Sequence, residues 1–156
     1  MGDARPSPTP AGKEKTMAEL KDKILAQLQE PVVGALATLT EEGKPWARFV
    51  TVFADQKLLI RCATFVRSRK VAQIKANPEV HLTAAATDLA KSRALVQVQG
   101  RAEVLTDHQA KAAVWFEDLR TYFDGPQDPN LAVVLIRPYR IEYQTMGSME
   151  PEVWTA

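Results

Sequence analysis

The sequence predicts an α+β domain built on a closed or nearly closed antiparallel β-barrel of about six strands, with short helices at the start and between strands. Three observations carry this reading. Short apolar or alternating stretches recur between tight turns, beginning with residues 32–38, 46–53 and 58–64. The connections between those three are too short for a crossover helix, so they form an antiparallel meander. Gly100 interrupts the longest alternating stretch, at a place where a barrel strand bends or bulges to turn a corner.

Each element has a local signal. Residues 1–15 hold Pro6, Pro8, Pro10, Gly2 and Gly12 and almost no large apolar side chain, so they read as a disordered tail. Thr16 and Glu19 then make a capping box, and Leu20, Ile24 and Leu28 set an amphipathic helix over residues 17–29. After Pro31 come the three strands, the first two separated by the turn Glu42-Gly43-Lys44-Pro45. Ser68 is the expected N-cap of a helix carrying Val71 and Ile74. That helix stops near Asn77-Pro78, because proline disfavours helical geometry in the residue before it. Residues 80–86 form the fourth strand and 87–92 a loop. In residues 94–105, Val96, Val98 and Ala102 face one way and Gln97, Gln99, Arg101 and Glu103 the other. Thr106-Asp107 starts a helix with Ala110, Ala113, Val114 and Leu119, and residues 131–143 make the last strand. The domain therefore covers residues 16–145, followed by a C-terminal tail, 146–156.

Composition narrows the function. Of the 156 residues, 46% are hydrophobic and 25% charged, and the net charge is +1, so no global field points to nucleic acid or to an anionic membrane. Any anion site must be a local cluster. A single cysteine, Cys62, excludes an intrachain disulfide and a cysteine-based zinc site, and agrees with a cytoplasmic location. His81 and His108 are too isolated to form a metal pair, and no metal site is expected.

The main chemical signal lies where the third strand ends and a helix opens. Thr64 and Ser68 offer hydroxyls, Arg69 a planar donor fork and Lys70 a point charge, with Arg61 and Arg67 nearby. A phosphate ester accepts from this mixture of donors, and a helix start adds free N–H groups. The same residues would also suit an ordinary solvated basic face. Arg48 sits on the second strand beside Val50, flanked by apolar Trp46, Val52 and Phe53. A buried arginine requires a carboxylate or a ligand anion.

Together, Arg48-Phe49-Val50 and the later Thr64-x-x-x-Ser68-Arg69-Lys70 resemble the pyridoxamine 5′-phosphate oxidase-like FMN-binding split-barrel superfamily, with most similarity to its general stress protein 26 group. The likeness covers about residues 20–143. It implies a split antiparallel barrel, a homodimer with FMN at the subunit interface, and a flavin-dependent oxidoreductase using NAD(P)H or another small donor. Carried over by position, Arg48 and Lys70 would bind the FMN phosphate, with Thr64, Ser68 and Arg69 beside them. The backbone of Phe49, Val50 and Thr51 would line the ribityl chain and ring edge, and Ala63 would pack close to the cofactor. Trp154 either edges a flavin ring or anchors the C-terminus in apolar contacts.

The chain departs from the substrate side of that pattern. Phe53 stands where the oxidases carry a substrate lysine, Leu95 where they carry a glutamine, and Arg140-Ile141-Glu142-Tyr143 lacks their Arg-x-His. Oxidation of pyridoxamine phosphate is therefore not expected. Two alternatives remain open at this point: a non-catalytic flavin-binding stress or sensor protein, or the same fold with deazaflavin F420 or haem, the latter through His81.

Overall fold

The computed structural model describes residues 10–84, 90 and 94–156. In chain order the elements are α1 (Pro10–Leu28), β1 (Val32–Leu39), β2 (Pro45–Ala54), β3 (Ile60–Phe65), α2 (Arg69–Ala76), β4 (Glu79–Ala84), β5 (Ala94–Leu105), α3 (His108–Val114), β6 (Leu131–Thr145) and β7 (Glu152–Thr155). A 3₁₀ turn, Glu117–Thr121, follows α3.

The sheet runs β3-β2-β1-β4-β5-β6-β7, and a further β3–β6 pairing closes its first six strands into an antiparallel barrel. Alternation fills the barrel: Leu36, Val52, Ile60, Leu82, Val98 and Ile136 are all fully buried. Burying each such side chain contributes about 1.5–3 kcal/mol. Leu20, Ile24, Leu25 and Leu28 of α1 pack into the same core. A second cluster, Val114, Leu119, Phe123, Leu131 and Val133, lies where α3 and the 3₁₀ turn cover β6.

Gly100 sits at a bulge between β5 and β6. A Cβ there would stand 2.8 Å from the Arg137 carbonyl oxygen and 2.9 Å from Ile136 Cγ2. The expected bend at Gly100 is met, and close backbone approach is its cause.

Four expectations need correction. The first helix begins at Pro10, so Thr16 lies inside it rather than at its cap. Proline suits the first helical position, where its missing N–H is not needed. Residues 1–9 of the expected tail lie outside the described residues, as do residues 85–86 of the fourth strand and all of the 87–92 loop except Ala90. The third strand starts at Ile60 rather than 58: Leu58 has φ 62° and closes the turn while its side chain stays buried. The helix expected to reach Leu119 stops at Val114 and resumes as the 3₁₀ turn. Finally, residues 152–155 of the tail form β7, pairing with β6 from Arg140↔Thr155 to Tyr143↔Glu152.

The barrel is split between β2 and β3. These strands pair only at Val52↔Cys62, Phe53↔Arg61 and Ala54↔Ile60. Beyond that, the first part of β2 is held only by β1, and Ala63, Thr64 and Phe65 are held only by β6. The two facing edges diverge into a slot. No helix among the described residues is long and apolar enough to cross a membrane.

Candidate functional site

The slot collects most of the residues singled out in the sequence. Between its edges lies a cavity of about 200 Å³, lined by Phe49, Val50 and Thr51 of β2, Ala63, Thr64 and Phe65 of β3, and Lys70 of α2. Its remaining wall is Phe116, Leu119, Tyr122 and Phe123. Strand edges that have left their partners retain backbone N–H and C=O groups for a ligand. The cavity therefore has polar edges, an apolar wall and a cation at one end.

Lys70 is held by hydroxyls. Its Nζ donates to Thr64 Oγ1 at 2.7 Å and to Ser68 Oγ at 3.5 Å, and those two hydroxyls lie 3.0 Å apart. Thr64 is buried. Ser68 is the N-cap of α2, as expected, yet its side chain makes no capping hydrogen bond. The hydroxyl faces Thr64 instead, and the first N–H groups of the helix have no intrahelical partner.

Arg48 reaches the same region from the inner face of β2. Nη1 donates to Thr38 Oγ1 at 2.6 Å and to the Leu36 carbonyl at 3.3 Å, and Nη2 donates to Gln73 Oε1 at 3.0 Å. Among the described residues no carboxylate pairs with Arg48. Arg69 packs its guanidinium over the Trp46 ring, 5.1 Å from the centroid.

Electrostatics follow from this crowding. Burial holds the Arg48 guanidinium below its ordinary value, and Arg69 adds to the effect. Burial also lowers the Lys70 ammonium, with Arg48 pushing the same way. The Cys62 thiol is pushed up to about 11 by burial, against the pull of Lys70, so it stays a neutral packed thiol at physiological pH. Positive charges repelling one another in partial burial are stabilised by an anion.

Several expected features lie elsewhere. Arg61 points outward and pairs with Asp55 at 2.9 Å, so it adds nothing to the cluster. The first half of β2 is not buried as its apolar residues implied: Phe49 is 82% exposed and Trp46 46%. Phe49 lies on the outer face of β2, whereas Trp46 shares the Arg48 face at the open end of the strand, where it meets the Arg69 guanidinium. Trp154 stands opposite Ile141 and packs on the main core, so this chain does not bring it to the slot. His81 lies on the outer face of the barrel beside Gln97, Gln99, Arg140 and Glu142. No group of three or more potential metal ligands forms among the described residues.

Two sets of residues were missed. Phe116, Tyr122 and Phe123 wall the cavity, and Phe123 also belongs to the second core cluster, on which Phe116 packs. Phe53, which replaces the oxidases' lysine, packs edge-on against Phe116, with centroids 6.4 Å apart. Thr38 and Gln73 gave no signal. Only the register, which sets Leu36 opposite Arg48, puts Thr38 within its reach.

Comparison with known proteins places the fold in one lineage. The sequence pattern described as pyridoxamine 5′-phosphate oxidase matches residues 20–145. The chain belongs to this family. It is 34% identical over 133 residues to general stress protein 26 of Bacillus subtilis (strain 168), covering 85% of this chain and 94% of that protein. The crystal structure of general stress protein 26 from Bacillus anthracis str. Sterne superposes with a TM-score of 0.75 at 28% identity, covering 88% of this chain and 99% of that one. A heme binding protein from Mycobacterium smegmatis gives a TM-score of 0.67 at 25% identity, covering 97% of this chain and 59% of that one. The likeness to general stress protein 26 expected from the motifs is thus found in both sequence and structure.

Proposed function

We propose that this chain binds FMN and acts as a flavin-dependent oxidoreductase-like protein whose substrate is not pyridoxamine phosphate. One observation carries the reading: Lys70 lines the slot with Arg48 close enough to act on its charge, and among the described residues both have hydroxyl, amide and carbonyl partners and no carboxylate. Such a pair suits a phosphate, which supplies the missing negative charge and accepts from the hydroxyls of Thr64 and Ser68 as well.

The rest of the residue set fits the same ligand. The unspent edges of residues 49–51 and 63–65 suit a polar ribityl chain, and Phe116, Leu119 and Phe123 suit a planar ring. When bound, FMN supplies hydride or electron transfer, for which the protein provides binding and electrostatics. The slot's volume of about 200 Å³ is below the roughly 300–1,000 Å³ of sites that enclose a ligand. A second copy of the chain is the proposed cover, and exposed Trp46, Phe49 and Phe65 beside the slot supply apolar surface for it. We place the homodimer in the cytoplasm, with a reduced nicotinamide or another small molecule as donor.

Purified protein is expected to be yellow or to take up FMN on titration. Arg48→Ala and Lys70→Ala should each weaken FMN binding more than about tenfold, as loss of a charge-assisted hydrogen bond worth about 1.5–3 kcal/mol requires. A colourless protein with no uptake, or unchanged affinity in both variants, would remove the reading. Anaerobic reduction of the bound flavin by NADH or NADPH then distinguishes an oxidoreductase from a protein that only holds the flavin.

A further inference from the structure

Arg48 is held in an unusual way for a partly buried cation. Three groups accept from it, and all are neutral: the Thr38 hydroxyl, the Gln73 side-chain carbonyl and the Leu36 backbone carbonyl. Thr38 is only 1% exposed. Its hydroxyl has one proton, which goes to Gln73 Oε1 at 2.6 Å, leaving a lone pair for Arg48 Nη1 at 2.6 Å. Gln73 Oε1 thus accepts from both Thr38 and Arg48, locking the three side chains into one triangle.

The chain places these residues by simple geometry. Thr38 lies two positions beyond Leu36 on the inner face of β1, and Leu36 is opposite Arg48. Gln73 lies one helical turn after Lys70, on the face of α2 that meets the barrel. A glutamate would fit the position of Gln73 sterically and would pair with Arg48 at once. The amide gives the same direction to the guanidinium without cancelling its charge.

We propose that Thr38 and Gln73 are positioning residues that keep Arg48 aimed and unneutralised for the phosphate of a phosphorylated ligand, with the neutrality of Gln73 setting preference for phosphate. This rests on the phosphate reading above and assigns to two further residues the selectivity of that site. Arg48 keeps its full charge because nothing in the triangle carries a negative one. The burial and repulsion that lower its proton affinity are then offset only when an anion arrives.

The test compares FMN with riboflavin, which has the same ring and ribityl chain but no phosphate, and uses inorganic phosphate as a second probe in thermal melts. Gln73→Glu should bind FMN more than about tenfold more weakly and leave riboflavin within about twofold. Its unliganded form should melt higher than wild type, and phosphate should no longer raise the melting temperature. A merely structural glutamine predicts the opposite: a lower melting temperature and equal loss of both flavins. Thr38→Val should weaken FMN about three- to tenfold, and Thr38→Ser should restore it. These two variants keep the test decisive if Gln73→Glu does not fold. Gln73→Glu binding FMN as wild type does, or Thr38→Ser failing to rescue, overturns the proposal. Wild-type protein that binds neither FMN nor phosphate overturns the function reading first, and the positioning role with it.

Discussion

Two groups of cations lie on different faces of the barrel. On the β4–β5–β6 face, Arg101 pairs with Glu79 at 2.9 Å, Arg137 with Glu103 at 2.9 Å and Arg140 with Glu142 at 2.7 Å. At and beside the β2–β3 slot, the partners of Arg48 and Lys70 among the described residues are hydroxyls, an amide and a carbonyl, and Arg69 meets the Trp46 ring. The first arrangement is how a sheet surface ordinarily neutralises itself. The second leaves positive charge concentrated and partly desolvated, at a cost in stability that structure alone does not repay. The contrast supports the proposal of an anion site at the slot, and proteins commonly give up stability at such sites.

The contrast can be broken at either end. The largest effect should come from Lys70→Glu, which replaces the proposed phosphate contact with a repulsion. FMN affinity by calorimetry should fall more than about a hundredfold, since each tenfold is about 1.4 kcal/mol. An intermediate effect should come from pH. The folded Lys70 ammonium is lowered from its ordinary value, so it loses its proton at a lower pH than a free lysine does. Only the protonated form holds an anion, so FMN affinity should fall as pH rises through that lowered value, and Lys70→Met should flatten the dependence. The unliganded protein behaves in the reverse sense. Between the lowered value and that of the unfolded chain the unfolded state binds more protons, so stability contributed by this group rises with pH there. The smallest effect belongs to the neutralised face. Arg101→Ala and Arg137→Ala should change FMN affinity less than about twofold and stability by less than about 1 kcal/mol, because exposed pairs contribute little.

The barrel strands were legible because alternation and turn chemistry agree along most of the chain. Val96, Val98 and Ala102 are buried while Gln99, Arg101 and Glu103 are exposed, as their spacing requires. Ser68 and Asp107 cap the helices expected of them, with the Asp107 carboxylate accepting from the Ala110 N–H. Failures occurred where a local signal had two meanings. Pro10 lies among other prolines and glycines, so its role as a first helical residue was hidden by a disordered-looking composition. The stretch Val153-Trp154 is too short for alternation to register, and β7 exists because β6 outlasts β3 and leaves an edge to pair. The cationic residues of the site were readable as residue types. Their lack of carboxylate partners, which distinguishes a site from a solvated face, is a property of packing. Thr38 and Gln73 depend on register and helix placement together, which no linear pattern reports.

The closure between β3 and β6 has a consequence for how the molecule comes into being. Its paired residues, from Phe65↔Leu131 to Ile60↔Ile136, are separated by 66 to 76 positions along the chain. The β1–β2 hairpin, by contrast, closes over the few residues between Leu39 and Pro45. Loop-closure entropy and high sequence separation slow the long-range step, so the hairpin forms early and the barrel seals late. The edge of β3 that faces the slot is fixed only by that late step. Ligand capture therefore follows sealing, and in refolding experiments flavin uptake should lag behind the burial of Leu36 and Val52 rather than accompany it.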